Sequence, residues 1–360
     1  MPYMTSAQDS NTFFQKTDII FAGDIMQHKG QLEEARKDDG TYSYSEYYRH
    51  ISKEIKRANI AIANLETPIY KNNFSGYPCF CAPDSFLHAI KNAGFNVILF
   101  ANNHCLDKGK RGVLHSLNLL DSLNIAHCGV YRNIKEREER YTLIINSNCI
   151  KVAILNYTYG TNGHQTPDEI IVNIIDKPTI ENDIYKAKSK GADVIIACMH
   201  WGDEYVKTPP KRVQTMSQWL IEQGVDHIIG NHPHVIQPIE IREDSITPDK
   251  HVVAYSTGNL VSNMSLRGTD GGMMIKMRLK KILNYTRVAS LEYLLTWIAP
   301  KSNNGKRDFT ILPAATTKCS EESYAHNRLQ QFLNDTKTLF DKYNKGDIRE
   351  IISDSVDITQ

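Results

Sequence analysis

Short apolar runs rich in β-branched residues alternate with stretches of helical periodicity along most of this chain, and this alternation limits the fold more than any other feature. Strands that alternate with helices of about 10–15 residues are typical of βαβ units and a mostly parallel sheet. The predicted strands are Asp18–Ala22, Ile60–Asn64, Val97–Ala101, Lys151–Asn156, Val194–Met199, His227–Ile229 and His251–Ser256. The predicted helices are Ser43–Arg57, Asp84–Ala93, Gly112–Leu123, Asn182–Lys190 and Arg212–Gln223, the last with Trp219 as a core residue.

The pattern changes after Gly271, where the helical stretches stop. Met273–Leu279 and Val288–Ile298 are predicted to be antiparallel strands, and we expect them to form a second sheet. Glu321–Tyr343 is predicted to be a charged amphipathic helix on the outside of the fold. Tyr70–Pro83 is a long loop rich in Asn, Pro and aromatic residues, and such loops often carry functional side chains.

The composition is that of an ordinary soluble globular protein, with 41% apolar and 23% charged residues in 360. The formal net charge is only +1, so electrostatics do not favour nucleic acid or an anionic membrane as the main partner, and we expect no nucleic-acid partner. The segment Met1–Thr17 is polar, and neither a signal peptide nor a membrane span is visible. We therefore expect a cytoplasmic location, or an extracytoplasmic one if a leader was removed; the oligomeric state is left open.

The seven cysteines are odd in number and scattered, and several lie in apolar runs. This pattern indicates buried thiols in a reducing compartment and not a disulfide framework. The cysteines are Cys79, Cys81, Cys105, Cys128, Cys149, Cys198 and Cys319.

Polar side chains of the kinds that bind metal ions follow nearly every predicted strand. In an open parallel sheet the carboxyl ends of the strands lie along one edge, and ligands bind there. Imidazole together with carboxylate and amide oxygens suits Zn, Mn, Fe or Ni ions. The residues at these strand ends are Asp24, Asn64, Glu66, Asn103, His104, His200, His232 and His234.

Each of these residues, taken alone, also has a purely structural explanation. Asp24 follows a glycine as in many turns, Asn103 has the position of a helix N-cap, and His200 is compatible with a buried core histidine. His232 and His234 are a stronger signal, because two imidazoles flank a rigid proline. If all these residues had independent structural roles, their positions at the strand ends would be a coincidence. A single shared site is therefore favoured.

Seven motifs in order resemble the CapA family of capsule and poly-γ-glutamate synthesis proteins, which belongs with the calcineurin-like metallophosphoesterases. The resemblance covers about Ile19–Asn263. No one motif is decisive, but all of them in this order are highly specific. The motifs are GDIM (Gly23–Met26), ANLETPI (Ala63–Ile69), FCAPD (Phe80–Asp84), ANNHCLDKGKRG (Ala101–Gly112), HWGDEY (His200–Tyr205), GNHPHVIQ (Gly230–Gln237) and YSTGNLV (Tyr255–Val261).

The resemblance implies a four-layer α/β sandwich with two central mixed sheets flanked by helices. The corresponding domain would span residues 18–300, with a polar extension at 1–17 and a helical extension at 301–360 packed on the domain. It also implies one or two divalent ions of the Mn, Fe or Zn type. The family's ligand positions correspond to Asp24, Glu66 as the bridging carboxylate, Asn103, His200, His232 and His234.

Further residues receive roles from the same resemblance or from their positions. His104 corresponds to the histidine that aids the leaving group, and Asp107 is expected to cap the following helix, with orientation of His104 as the alternative. Glu204 is a candidate acid or base, or a partner of His200, with a solvated surface position as the alternative. The candidate substrate-binding residues are Asn64, Lys108 and Arg111, of which the two cations are equally compatible with a solvated face.

Two positions depart from the family's pattern. Met26 stands where the phosphoesterase motif has a histidine, so one metal site lacks a ligand and a two-metal centre is in question; the spacing of His28 does not suit direct replacement. Cys81 stands where a basic residue is expected, so anion binding is expected to differ.

Three functions remain open at this point. The first is a metal-dependent hydrolase of phosphoesters with a small or polymer-derived anionic substrate. The second is an enzyme acting on γ-glutamyl amide bonds, and the third is a non-catalytic binding partner in capsule or polyglutamate synthesis. The set of metal-type side chains favours catalysis, whereas Met26 weighs against a full two-metal phosphatase.

Overall fold

The computed structural model describes residues 14–140, 142–243, 250–301, 305 and 307–358. Most of the predicted polar extension at 1–17 therefore lies outside the described residues, and its last residues belong to the first strand. The helices are α1 Lys29–Ala35, α2 Ser52–Arg57, α3 Asp84–Ala93, α4 Gly109–Ser122, α5 Ile134–Arg140, α6 Lys177–Ser189, α7 Lys211–Gln223 and α8 Tyr324–Tyr343, with a 3₁₀ turn at Ala314–Thr316. The strands are β1 Gln15–Ile25, β2 Ile60–Leu65, β3 Val97–Leu99, β4 Ala126–Cys128, β5 Val130–Tyr131, β6 Leu143–Ser147, β7 Ile150–Thr158, β8 Ile171–Val172, β9 Val194–His200, β10 His227–Asn231, β11 Ile239–Glu243, β12 Lys250–Ala254, β13 Asn259–Val261, β14 Gly271–Ile282, β15 Tyr285–Trp297, β16 Leu312–Pro313, β17 Thr317–Lys318, β18 Arg349–Glu350 and β19 Val356–Asp357.

Two mixed sheets form the centre of the molecule. The first has the order β16-β15-β14-β1-β2-β3-β4, with β13 paired to β1 and β18 to β15. The second has the order β11-β12-β10-β9-β7-β6. Within each sheet, the central strands are parallel and the flanking hairpins are antiparallel.

The strands β14 and β15 correct one prediction. They are antiparallel as expected, but they do not form a sheet of their own, because β14 pairs along β1 from Phe21 to Gln15. The second sheet comes instead from the middle of the chain, from β6, β7 and β9 to β12, while β8 pairs with β5. Sequence alternation reports which residues face a core, but it does not report which edge a strand joins.

Alternating side chains of the strands fill the spaces between four layers. Ile19 of β1 and Ile60 of β2 meet Ile154 of β7 in the core between the two sheets. Neighbouring side chains such as Ile20 point to the other face of the first sheet, against α2, α3 and α4. Leu155 does the same for the second sheet against α6 and α7. The four-layer α/β sandwich is thus confirmed, and each such buried aliphatic side chain contributes about 1.5–3 kcal/mol.

Most of the predicted elements are confirmed with shifted ends, and α3 is matched residue for residue. The predicted helix Ser43–Arg57 is wrong over its first part, since only Ser52–Arg57 is helical. Tyr44, Tyr47 and Tyr48 are buried there in turns, packed on aromatic rings including Phe86. Aromatic residues are weak helix formers, so the helical preference of this segment is small. Burial of the three tyrosine rings therefore determines its conformation.

The C-terminal segment closes one side of the sandwich. Ala325, Leu329, Phe332 and Leu339 of α8 are buried in the same core that lies between the sheets. This segment is not only helical, because β16 and β18 extend the first sheet along β15. No helix among the described residues has the length and apolar character needed to cross a bilayer.

The thiols are free, as predicted, in all seven cysteines. The prediction that they are buried is only partly right. Cys149 is exposed in the turn between β6 and β7, and Cys79 and Cys319 are half-buried. Trp219 is likewise only half-buried, and the ammonium of Lys177 lies 4.7 Å from its ring centroid.

Gly230 in β10 has no room for a side chain, because a Cβ there would lie 1.9 Å from the carbonyl oxygen of Tyr255. The indole nitrogen of Trp201 would be 2.6 Å away. Gly230→Ala should therefore force β10 away from β12 and lower the free energy of unfolding by about 3 kcal/mol. Urea unfolding followed by circular dichroism measures this. Gly160→Ala is the matched control, since nothing lies within 4 Å of that position and its φ is not positive, and an equal loss in both variants would contradict the explanation.

Candidate metal centre

The carboxyl ends of β1 and β2 bring two carboxylates together. Asp24 and Asn64 are register partners on these adjacent parallel strands, and Glu66 follows β2 directly. The side-chain amide of Asn64 donates to Asp24 Oδ1 at 2.8 Å and approaches Glu66 Oε2 at 3.4 Å. Both carboxylates are fully buried. Asn64 is thus enclosed between the two carboxylates. This position favours a role in orienting Asp24 and Glu66 over direct contact with a substrate.

The second sheet contributes His200 from the end of β9. Its Nε2 lies 2.8 Å from Asn103 Oδ1 and 3.6 Å from Glu66 Oε1. Asn103 belongs to the loop after β3 of the first sheet. The ends of the two sheets therefore meet at this point. The prediction that the edge of one sheet carries all the candidate ligands is wrong in that detail.

His232 and His234 follow β10 in a loop with unusual backbone geometry. Both have positive φ, at 99° and 57°, a conformation that costs free energy in residues other than glycine. His234 Nδ1 lies 3.2 Å from Asp24 Oδ2 and 3.0 Å from Asn259 Oδ1, while its Nε2 lies 3.8 Å from Glu66 Oε1. The strained loop thus turns both imidazoles toward the carboxylates of the first sheet.

The donor atoms fall into two groups that suit metal binding. Glu66, His232 and His234 offer atoms within 4.8 Å of one another, and so do Asp24, Glu66 and His200. Glu66 belongs to both groups, which is the arrangement expected of a bridging carboxylate. Glu66 Oε1 and His232 Nδ1 are buried, and neither has a hydrogen-bond partner among the described residues. Such orphaned donor atoms fit a divalent cation, which would satisfy both.

Burial and the closeness of like groups govern the electrostatics of the cluster. Burial, followed by the neighbouring Asp24 carboxylate, raises the pKa of Glu66 well above its usual value. Burial and the adjacent His232 hold the pKa of His200 well below its usual value. Burial and His234 lower the pKa of His232 to about 3. The imidazoles of His200 and His232 are therefore held in the neutral form, the form that binds metal.

These shifts predict how the metal-free protein responds to Glu66→Gln. Because the pKa of Glu66 is higher in the folded than in the unfolded protein, ionisation of this carboxyl lowers the free energy of unfolding. This loss of stability is absent in acid and grows as the pH rises from 4.5 toward the folded pKa. The variant should therefore unfold at a higher temperature than the parent at pH 8, with a smaller difference at pH 5. Thermal unfolding in EDTA measures this, with the exposed Glu138→Gln as control. A variant that is less stable than the parent at pH 8 would contradict it.

Next to the metal-type cluster lies a buried pair of His104 and Asp107. His104 Nδ1 is 2.8 Å from Asp107 Oδ2, and the same oxygen accepts from the backbone N–H of Phe80 at 2.6 Å. The prediction that Asp107 caps the helix is wrong, because α4 begins at Gly109 after Lys108 and has no side-chain cap. Asp107 instead holds the His104 proton on Nδ1, which leaves Nε2 free to exchange a proton.

The loop after β7 supplies residues that sequence reasoning missed. Asn162 Oδ1 accepts from the amide of Asn103 at 3.2 Å, and the Asn162 amide lies 3.4 Å from His104 Nε2. The half-exposed Tyr159 packs its ring 4.6 Å from that of His232. The available signal was the position of this polar loop at the end of a predicted strand, the same rule that identified the other candidates.

Three predicted residues lie at the rim or beyond it. Glu204 is exposed, although its charge still raises the pKa values of Glu66 and Tyr205. Lys108 is half-buried before α4 and close enough to lower the pKa of Cys81, whereas Arg111 is exposed on the first turn of α4. Burial dominates at Cys81 and raises its pKa to about 11. The roles of these rim residues remain predictions.

The fold and this cluster define a class of protein, a four-layer α/β sandwich with a candidate metal centre where its two sheets meet. Residues 18–264 match the sequence profile of the family described as bacterial capsule synthesis protein PGA_cap. The chain belongs to this family.

Two curated relatives and one solved structure are similar to this chain. It is 26% identical over 277 residues to the capsule biosynthesis protein CapA of Bacillus anthracis, covering 74% of this chain and 64% of the relative. It is 25% identical to the PGA biosynthesis protein CapA of Bacillus subtilis, covering 72% and 67%. The chain thus spans about two thirds of these relatives. The calcineurin-like phosphoesterase YfkN of Bacillus subtilis is similar with a TM-score of 0.42 at 14% identity, covering 90% of this chain and 97% of that one.

Proposed function

We propose that this protein is a metal-dependent hydrolase that acts on a phosphoester. The observation that carries the proposal is the convergence of buried carboxylates and imidazoles from both sheets, with Glu66 Oε1 and His232 Nδ1 left without a hydrogen-bond partner among the described residues. Each buried polar atom without a partner costs about 1–3 kcal/mol, and a bound cation would satisfy both of these atoms at once.

The proposed metal ligands are the six residues that the sequence predicts for this role. Glu66 is shared between both groups, so the centre is suited to one ion or to two that share this carboxylate. A bound divalent ion supplies Lewis acidity and lowers the pKa of water to near neutrality. Met26, in place of the expected histidine, is fully buried in the apolar core and offers no nitrogen ligand. The residues that would hold the metal are Asp24, Glu66, Asn103, His200, His232 and His234.

The chain itself handles the proton of the leaving group. Asp107 orients His104 and stabilises its imidazolium form, in which Nε2–H can give its proton to an alkoxide as it departs, leaving a neutral ring with its proton on Nδ1. Asn162 lies beside Nε2 and is placed to orient the ring or the substrate oxygen. The ring of Phe80 packs 4.5 Å from His104 and limits the access of water to the pair.

A second candidate function is favoured by the names of the relatives, which link them to capsule and PGA biosynthesis. On this alternative the same centre acts on a γ-glutamyl amide bond, or the protein serves as a binding partner in polymer synthesis without catalysis. The paired His104 and Asp107 support catalysis, because a binding surface has no need for a proton donor with a held tautomer.

The test compares two chromogenic substrates after loading with Mn²⁺, Fe²⁺ or Zn²⁺. We expect hydrolysis of p-nitrophenyl phosphate and a rate at least about 100-fold lower in Asn103→Ala, because changes around metal ligands typically cost that much. The exposed Asn182→Ala is the matched control and should keep the parental rate. Release of p-nitroaniline from γ-glutamyl-p-nitroanilide, with no phosphatase activity, would support the amide alternative. Activity on neither substrate would leave the non-catalytic role.

A further inference from the structure

Two adjoining cavities lie beside the loop after β13, away from the residues of the candidate metal centre. Their volumes are about 750 Å³ and 320 Å³, and they share Asn263, Lys301 and Arg307 as lining residues. We refer to the pair as the Arg307 groove. Lys301, Arg307 and the α8 residue Arg328 lie outside residues 18–264, so the groove depends on parts of the chain beyond the family match.

Arg307 is a buried cation that has no ion-pair partner among the described residues. Its Nε donates to Ala299 O at 2.9 Å, and its Nη1 donates to Asn263 Oδ1 and Met264 O, each at 3.1 Å. Only 8% of the residue is exposed, and no carboxylate of the described residues lies within ion-pair distance of it. Burial is also the main cause that lowers the pKa of this guanidinium to about 10.

The surrounding charges do not neutralise this cation. Asp270 is the nearby acid, but its Oδ2 already accepts from Arg328 Nη2 at 2.6 Å and Nε at 3.1 Å. Two guanidinium groups thus share one carboxylate, and the exposed Lys301 adds a further positive charge at the mouth. Together the walls of the groove carry five cationic side chains, Lys29, Arg36, Lys301, Arg307 and Arg328, against three acidic ones, Glu33, Glu34 and Asp270.

The groove is connected to the metal centre through one segment of chain. Asn259 Oδ1 accepts from His234 Nδ1 at 3.0 Å, and the Asn259 amide donates to Thr269 O at 2.9 Å. Arg307 holds Met264 O in the middle of the same segment. The groove is therefore a neighbour of the centre and not a part of it.

We propose that the Arg307 groove is an anion-binding site that takes a phosphate or carboxylate group. A guanidinium held in place by backbone carbonyls is already desolvated and oriented, so an anion that reaches it loses little to reorganisation. The net positive charge of the walls favours such an anion over a cation or a neutral ligand. The proposal does not depend on hydrolysis at the metal centre.

The test is calorimetric titration of inorganic phosphate into EDTA-treated protein at low ionic strength. We expect saturable binding in the parent, about threefold weaker binding in Lys301→Gln, and about fivefold tighter binding in Asp270→Asn, where a repelling charge is removed while an acceptor for Arg328 stays. The exposed Lys318→Gln makes the same charge change elsewhere and should bind like the parent. A parallel titration with succinate separates a phosphate ligand from a carboxylate ligand.

Loss of folding does not obscure this test. Arg307→Gln is the obvious variant, but it removes the donors of several backbone carbonyls, so the two milder changes of opposite sign decide the matter. Absence of saturable binding of both anions in the parent, or equal affinities in the parent, Lys301→Gln and Asp270→Asn, would overturn the proposal.

Discussion

Replacing both His232 and His234 with alanine should remove the bound metal and, with it, any hydrolysis. These two imidazoles complete a group with Glu66, and they face the carboxylates only because their loop adopts positive φ at both positions. Loss of both should weaken metal binding by more than about 100-fold, since even the partners of metal ligands typically contribute 10–100-fold. Elemental analysis of the purified proteins for Mn, Fe, Ni and Zn measures it, with one or two equivalents expected in the parent.

The exposed His88→Ala variant removes an imidazole elsewhere on the surface and is the control for unspecific metal binding by histidine. It should keep the metal content of the parent. Circular dichroism of the double variant shows whether the fold is retained. An absence of metal in the parent after incubation with excess ions would remove the basis of the hydrolase mechanism and favour the binding-partner role.

Replacing His104 with glutamine should lower kcat by about 10²–10⁴-fold while leaving the metal content unchanged, because general acid catalysis typically contributes that much. His104 does not belong to either group of candidate metal donors, so the two effects can be separated. The loss should be largest for alkyl phosphates, whose alkoxide leaving groups need a proton. It should be small for p-nitrophenyl phosphate, whose phenolate leaves unprotonated.

The matched control for this variant is His115→Gln. His115 Nε2 lies 2.7 Å from Asp84 Oδ1, so it also belongs to a His–Asp pair, but that pair lies on α3 and α4 away from the centre. It should leave both substrates unaffected. Equal losses on alkyl and nitrophenyl esters in His104→Gln would show that His104 positions the substrate and does not protonate the leaving group.

Local patterns were enough to predict the kind of fold and most of the candidate centre. Buried strands such as β9 are recognisable because their side chains are apolar on both faces, and polar residues that interrupt such runs at the ends stand out. Asp24, Glu66 and His200 are recognisable in this way from the sequence. The motif resemblance then supplied the four-layer architecture, which the two sheets and their flanking helices confirm.

Other features could not be read from local patterns. Asp107 looked like a helix cap because it precedes α4, and only the packing of Phe80 and His104 around it shows that it holds an imidazole. Asn162 lies 59 residues after Asn103 in the chain, yet the two side chains share a hydrogen bond. Contacts of this separation depend on which strands are neighbours, a property of the whole fold.

The sequence by itself determined which residues line the strand ends, because periodicity and residue chemistry are local properties of the chain. It also determined the family, since the motifs occur in a fixed order. Only the tertiary structure decided that the ends of two separate sheets meet at Glu66, and that Arg307, Asp270 and Arg328 share a groove. The physical reason is that the apolar core between the sheets sets how they pack, and its side chains come from strands far apart in the chain.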